Sequence, residues 1–125
     1  MEIIATDKAP AALGPYSQAV KAGANLFVSG QLGIDPATGK MVSDQTTDQA
    51  RQVFKNLRAV LAEAGLSLND IAKTTVFVAD MNEFPTINQI YAEEMGDHKP
   101  ARATVEVSRL PLDGRIEIEC IALLK

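Results

Sequence analysis

Residues 98–125 constrain the fold most, because two runs with the period of a β-strand flank one turn cluster. In the first run Ala101, Ala103, Val105 and Val107 share one parity, while Arg102, Thr104, Glu106 and Ser108 share the other. In the second, Ile116, Ile118, Cys120, Ala122 and Leu124 make an apolar face. Arg115, Glu117 and Glu119 oppose it, followed on that parity by Ile121 and Leu123. Asp113-Gly114 in the connection is a turn signal, so the segment reads as a β-hairpin with a loop longer than two residues. If both apolar faces meet one core, Arg102 and Glu117 project from the same side of the sheet.

That pair has a definite chemistry. A guanidinium is a planar two-pronged clamp for a carboxylate, and a glutamate near a bound water can orient it or move its proton. Together they suit a small substrate with a carboxylate beside a hydrolysable carbon. The structural alternative is a cross-strand ion pair, worth below about 1 kcal/mol when exposed.

The remaining chain alternates strands and helices. Ile3-Ile4-Ala5-Thr6 is β-prone and suits an edge strand. Residues 16–22 and 25–32 form a second hairpin about Gly23. In its second strand Ser29 and Gln31 share a parity, and Gly30 permits either a β-bulge or close approach of a ligand to the backbone. Residues 35–39 make a turn. A helix follows, with Thr46 and Gln49 at capping-box spacing, an apolar stripe through Ala50, Val53, Phe54, Leu57, Val60, Leu61 and Ala64, and Gly65 as its stop. Residues 71–79 suit a central strand, and residues 82–95 a second helix with Pro85 in its first turn. Its buried stripe is Phe84, Ile87, Tyr91 and Met95, with Asn88 at the margin, and His98 reads as an exposed loop histidine. The class is α+β, a mixed sheet with two helices on one face. Two helices cannot cover both faces, so Ile121, Leu123 and the polar pair are left for burial by self-association.

Composition removes several function classes. With 125 residues, 46% of them hydrophobic, the sequence makes one domain over 1–125 with its own core. A net charge of -4 and twelve scattered basic residues oppose a grip on phosphate backbones, so no nucleic-acid partner is expected. One cysteine excludes an internal disulfide, and with a single histidine it gives a poor start for a metal site. A reducing, cytoplasmic setting is expected. Met1-Glu2-Ile3-Ile4 has no basic region and no apolar stretch reaches membrane-spanning length, so neither secretion nor membrane insertion is expected.

Several blocks together resemble the reactive intermediate deaminase family, also called RidA or YjgF. They are Pro100-Ala101-Arg102-Ala103-Thr104-Val105 with Ile116-Glu117-Ile118-Glu119, Gly14-Pro15-Tyr16-Ser17-Gln18-Ala19, Phe27-Val28-Ser29-Gly30-Gln31, Thr75-Val76-Phe77-Val78, and Ile87-Asn88 with Tyr91. The resemblance spans essentially the whole chain. It implies a chorismate-mutase-like fold and a homotrimer with a ligand cleft at each subunit interface. It implies hydrolysis of 2-iminobutanoate or 2-iminopropanoate to a 2-oxo acid and ammonia, with no metal or organic cofactor. By the same resemblance Arg102 clamps the substrate carboxylate and Glu117 positions the attacking water. Tyr16, Ser29, Gly30 and Asn88 lie at the pocket, and the backbone N–H of Thr104 can assist at the carboxylate. Many members have cysteine where this chain has Thr104, so no thiol acts there. A non-catalytic module that binds a small oxo acid is the rival reading, and a ribonuclease or translation inhibitor a third.

Overall fold

The computed structural model describes residues 1–125. In chain order its elements are β1 (Glu2–Ile4), β2 (Ala19–Ala22), β3 (Asn25–Leu32), β4 (Ile34–Asp35), β5 (Lys40–Met41), α1 (Thr46–Glu63), β6 (Ile71–Val78), α2 (Phe84–Met95), β7 (Ala101–Glu106) and β8 (Ile116–Leu123). Six strands form one mixed sheet in the order β1-β2-β3-β8-β6-β7, parallel only between β6 and β7, while β4 and β5 pair separately. This is the expected α+β class, with α1 and α2 on one face. No helix is long and apolar enough to cross a membrane.

The apolar stripe of α1 is buried from Ala50 to Leu61. The helix stops as its sequence predicts: Gly65 takes φ 75°, Leu66 N–H donates to Leu61 O at 2.9 Å, and Leu66 is buried beyond the turn. Its start departs from the expected capping box. Gln45 is the cap, without a side-chain bond, and Thr46 already lies inside the helix with its hydroxyl donating to Glu83. Gln49 instead donates to Ser43 O at 2.8 Å and accepts from Arg115 N–H at 2.7 Å, tying α1 to the chain just before β8.

The expected hairpin of residues 98–125 does not form, because β6 lies between β7 and β8. Ile116, Ile118, Cys120 and Ala122 are all buried under the helices, so β8 is a central strand that needs a neighbour on each side. It pairs antiparallel with β3 and β6, and β7 is left as an edge. The Asp113-Gly114 turn is also built differently. Leu112 and Asp113 carry the positive φ values, 55° and 53°, whereas Gly114 is needed for room: a Cβ there would meet Leu32 Cδ2 at 2.9 Å.

The other sheet face has no covering element. Pairing aligns Ile3, Val20, Phe27 and Ile121 across it, and Ile3, Phe27, Val105 and Leu123 are exposed. Beneath the helices, Phe54 meets Tyr91 edge to face at 5.6 Å, and the Tyr91 hydroxyl bonds Thr74 Oγ1 at 2.7 Å. Cys120 belongs to this core, and burial pushes its thiol pKa up to about 12, with help from Glu119, so it is inert as a nucleophile.

Gly33 lets α1 approach the end of β3, since a Cβ there would lie 2.7 Å from the Gln49 Cα. Backbone cannot swing away as a side chain can. Gly33→Ala should therefore cost about 1–3 kcal/mol in urea unfolding; an unchanged midpoint would show that the contact is loose.

Candidate active site

The residues singled out in the sequence fall into two groups on opposite faces of the sheet. Tyr16, Ser29, Gly30 and Glu117 line one open pocket of about 670 Å³, joined by Glu119. Arg102, Asn88 and Thr104 stand elsewhere, at the β7 edge. The register fixes this division: Arg102 pairs with Thr74, whose parity is buried under the helices, while Glu117 pairs with Phe77 on the uncovered face. The expectation that Arg102 and Glu117 share a side is therefore overturned. Alternation identified two faces in each run but not which one meets the helices, and in β7 it is the Arg102 parity that does. The ion-pair alternative fails with it.

In the pocket, β3 and β8 meet across a β-bulge. Val28 pairs with Cys120 and Gln31 with Ile118, leaving Ser29 and Gly30 together opposite Glu119. The bulge separates Ser29 from Gln31, which returns to the parity of the buried Ile118. Both readings of Gly30 thus meet at one residue, because the missing side chain makes room for the carboxylate. A Cβ on Gly30 would lie 2.8 Å from Glu117 Cδ and 2.9 Å from its Oε1. Ser29 donates its hydroxyl proton to Ser17 O at 2.6 Å, so toward a ligand it can only accept.

Glu117 is half-buried, and its pKa is raised, first by burial and second by the neighbouring Glu119 charge. No lysine, arginine or histidine lines the pocket. Such a carboxyl is a stronger base toward a bound water than an exposed one. Pro10, Leu13 and Leu112 make apolar walls, and Leu112 does so in the left-handed conformation.

At the edge, the Arg102 guanidinium lies 4.7 Å from the Tyr91 ring centre and 5.4 Å from that of Phe84, and donates from Nη1 to Asn88 Oδ1 at 2.7 Å. Stacking and this bond fix its orientation while leaving most of its five donors free. Val107 N–H donates to Val78 O, so by the two-residue period of the ladder the N–H groups of Arg102 and Thr104 point outward from the sheet. The Thr104 hydroxyl is buried without a partner. A fixed guanidinium beside outward N–H groups is a receptor for a carboxylate.

One further reading changed. His98 is half-buried, with Nε2 2.7 Å from Ile71 O, and it lines a separate open pocket of about 630 Å³ where Arg58 is paired with Glu94. Glu119 was legible by parity from Glu117, while Pro10 and Leu13 sit in coil and Leu112 in a short 3-10 turn, none of them with periodicity. No cluster of three His, Cys, Asp or Glu side chains is placed to hold a metal ion.

A raised Glu117 pKa carries a stability consequence. The fold favours the protonated acid, so this group's contribution is fully present below its unfolded pKa, near 4.3, and is lost as pH rises through the higher folded value. Glu117→Gln should melt above the parent protein at about pH 7 and converge with it near pH 4. A lower melting point for the variant at neutral pH would mean that the charged carboxylate is stabilised, contrary to its surroundings here.

Comparison with known proteins agrees with the motifs. The endoribonuclease L-PSP family profile matches residues 6–124. The 2-iminobutanoate/2-iminopropanoate deaminase of Mus musculus is 47% identical over 122 residues, covering 98% of this chain and 90% of that one. The crystal structure of RidA from Psychrobacter superimposes with a TM-score of 0.95 at 44% identity, covering 99% and 100% of the two chains. E. coli TdcF with bound serine gives a TM-score of 0.94 at 44% identity, with both chains fully covered. Matched along nearly its whole length in sequence and fold, the chain belongs to the endoribonuclease L-PSP family, which includes the RidA and YjgF proteins that its motifs resemble.

Proposed function

We propose that this protein is a hydrolytic deaminase of small 2-imino acids, working as a homotrimer whose sites form between neighbouring copies. One observation carries the reading: the proton-handling carboxyl and the carboxylate receptor of a single polar set lie on opposite faces of one sheet. Neither half is a complete site. A second copy whose β7 edge meets the Glu117 pocket would join them. The uncovered apolar face and the unpaired edge of β7 both favour association, and three sheets around an axis would bury the row from Ile3 to Ile121. The relative named for 2-iminobutanoate and 2-iminopropanoate, and the TdcF structure with serine, support a small amino-acid-derived ligand.

In the reaction, Arg102 and the Thr104 N–H of one copy hold the substrate carboxylate. Glu117 of the other takes a proton from water as its oxygen bonds to the carbon of the N-protonated imine, and the C=N electron pair moves onto nitrogen, leaving a neutral amine. Glu117 then returns its proton to the amine of the tetrahedral adduct. The Glu117 carboxylate takes the hydroxyl proton as the C–N bond breaks, ammonia leaves and the carbonyl forms, giving the 2-oxo acid, and the departing ammonia then takes that proton from Glu117. The imine is already electrophilic, so orientation and one proton relay suffice. We assign the reaction to the reducing cytosol, where a free buried Cys120 is at home. The half of the site on one chain has two acids and no cation, and a net charge of -4 opposes a grip on a phosphate backbone, so the geometry favours a deaminase over a ribonuclease.

Light scattering should give a trimer. Arg102→Lys, which loses the fork, should weaken 2-oxobutanoate binding in calorimetry about tenfold or more and lower turnover with it. Glu117→Gln should retain binding while ammonia release from dehydratase-generated imine falls by about 10² or more. Parent-like turnover by Glu117→Gln would refute its role. Undiminished oxo-acid binding by Arg102→Lys would refute the carboxylate clamp, and binding without turnover by the parent would favour the ligand-binding module.

A further inference from the structure

Residues 6–17 run between β1 and β2 and contain no helix or strand. Even so, they supply Pro10, Ala11, Leu13 and Tyr16 to the Glu117 pocket. A coil of this length needs partners for its backbone, and one side chain provides four of them. Gln18 is only 4% exposed. Its Oε1 accepts from Thr6 N–H at 2.7 Å, and its Nε2 donates to the carbonyls of Thr6 at 3.0 Å, Ala9 at 3.3 Å and Pro10 at 2.8 Å. The backbone carbonyl of Gln18 accepts from Ser29 N–H at 2.9 Å, at the β-bulge beside Glu117.

We propose that Gln18 is a positioning residue: its amide closes residues 6–17 into the pocket wall that carries Tyr16, and so sets substrate affinity without touching substrate. Two amide hydrogens serve three carbonyls, which leaves no donor for a ligand. The four bonds converge on one side chain from both ends of residues 6–10, so no other single group can hold that stretch. Ser29 supplies the neighbouring tie through its hydroxyl to Ser17 O. The kinetic consequence rests on the deaminase reading; the positional one does not.

The chain has two tyrosines, so fluorotyrosine labelling gives one fluorine resonance for Tyr16 and one for the buried Tyr91. Gln18→Met keeps the length and removes all four bonds. Its Tyr16 resonance should shift and narrow while the Tyr91 resonance stays, which certifies the core. KM for imine should rise about tenfold or more, as the competent wall is less populated, with kcat within about threefold of the parent. Gln18→Glu keeps only the bond from Thr6 N–H, should fall between the two, and decides the matter if the methionine variant loses the Tyr91 resonance. An unmoved Tyr16 resonance, an unmoved KM, or a fall in kcat alone overturns the proposal. No ammonia release by the parent, with a Tyr16 resonance that still moves in the variant, would instead refute the deaminase reading and leave the positioning role standing.

Discussion

The double pairing of β8 is the constraint on which the rest depends. Its Ile116, Ile118, Cys120 and Ala122 parity is fully buried, and the strand gains that burial only with β3 on one side and β6 on the other. From this follow the exile of β7 to the edge, the parallel β6–α2–β7 crossover, and the arrival of α2 over the stretch of β7 that carries Arg102. The opposite parity of the same strand carries Glu117 into the pocket. Core strand and acid-bearing strand are one segment, so the acid is held as rigidly as the core.

Glycine does two different jobs around that strand. At Gly30 the absent side chain admits the Glu117 carboxyl against β3, and at Gly33 it admits α1 against the end of the same strand. Between them the bulge turns Ser29 toward the N-terminal coil, which Gln18 holds in place. The resulting pocket keeps a carboxyl in partly apolar surroundings next to a like charge, an arrangement that costs stability at neutral pH and raises its basicity. Such an expense fits the proton-handling role proposed for Glu117.

Much of this was legible in the sequence. The α1 stripe and its Gly65 stop, the central character of residues 71–78, the core side of Cys120 and the bulge-or-ligand ambiguity of Gly30 all follow from local patterns. What was not legible is long-range. Period two reveals that Arg102 and Glu117 each oppose an apolar neighbour, but the face that each presents depends on which strand lies between theirs, and residues 71–78 come from earlier in the chain. The pocket walls at Pro10, Leu13 and Leu112 were hidden for a related reason, since neither the coil that the Gln18 amide holds at Thr6, Ala9 and Pro10 nor the short turn at Leu112 carries a period.

If a working site takes Glu117 from one copy and Arg102 from another, two variants that each lack one of these residues should complement each other. Arg102→Ala and Glu117→Gln, each inactive alone, can be mixed by co-refolding in equal amounts. In randomly assembled trimers about a quarter of the interfaces then carry both native residues, and the account predicts that close to this fraction of parent ammonia release returns. Activity that stays at the level of the separate variants, in a mixture shown to have exchanged subunits, would contradict it.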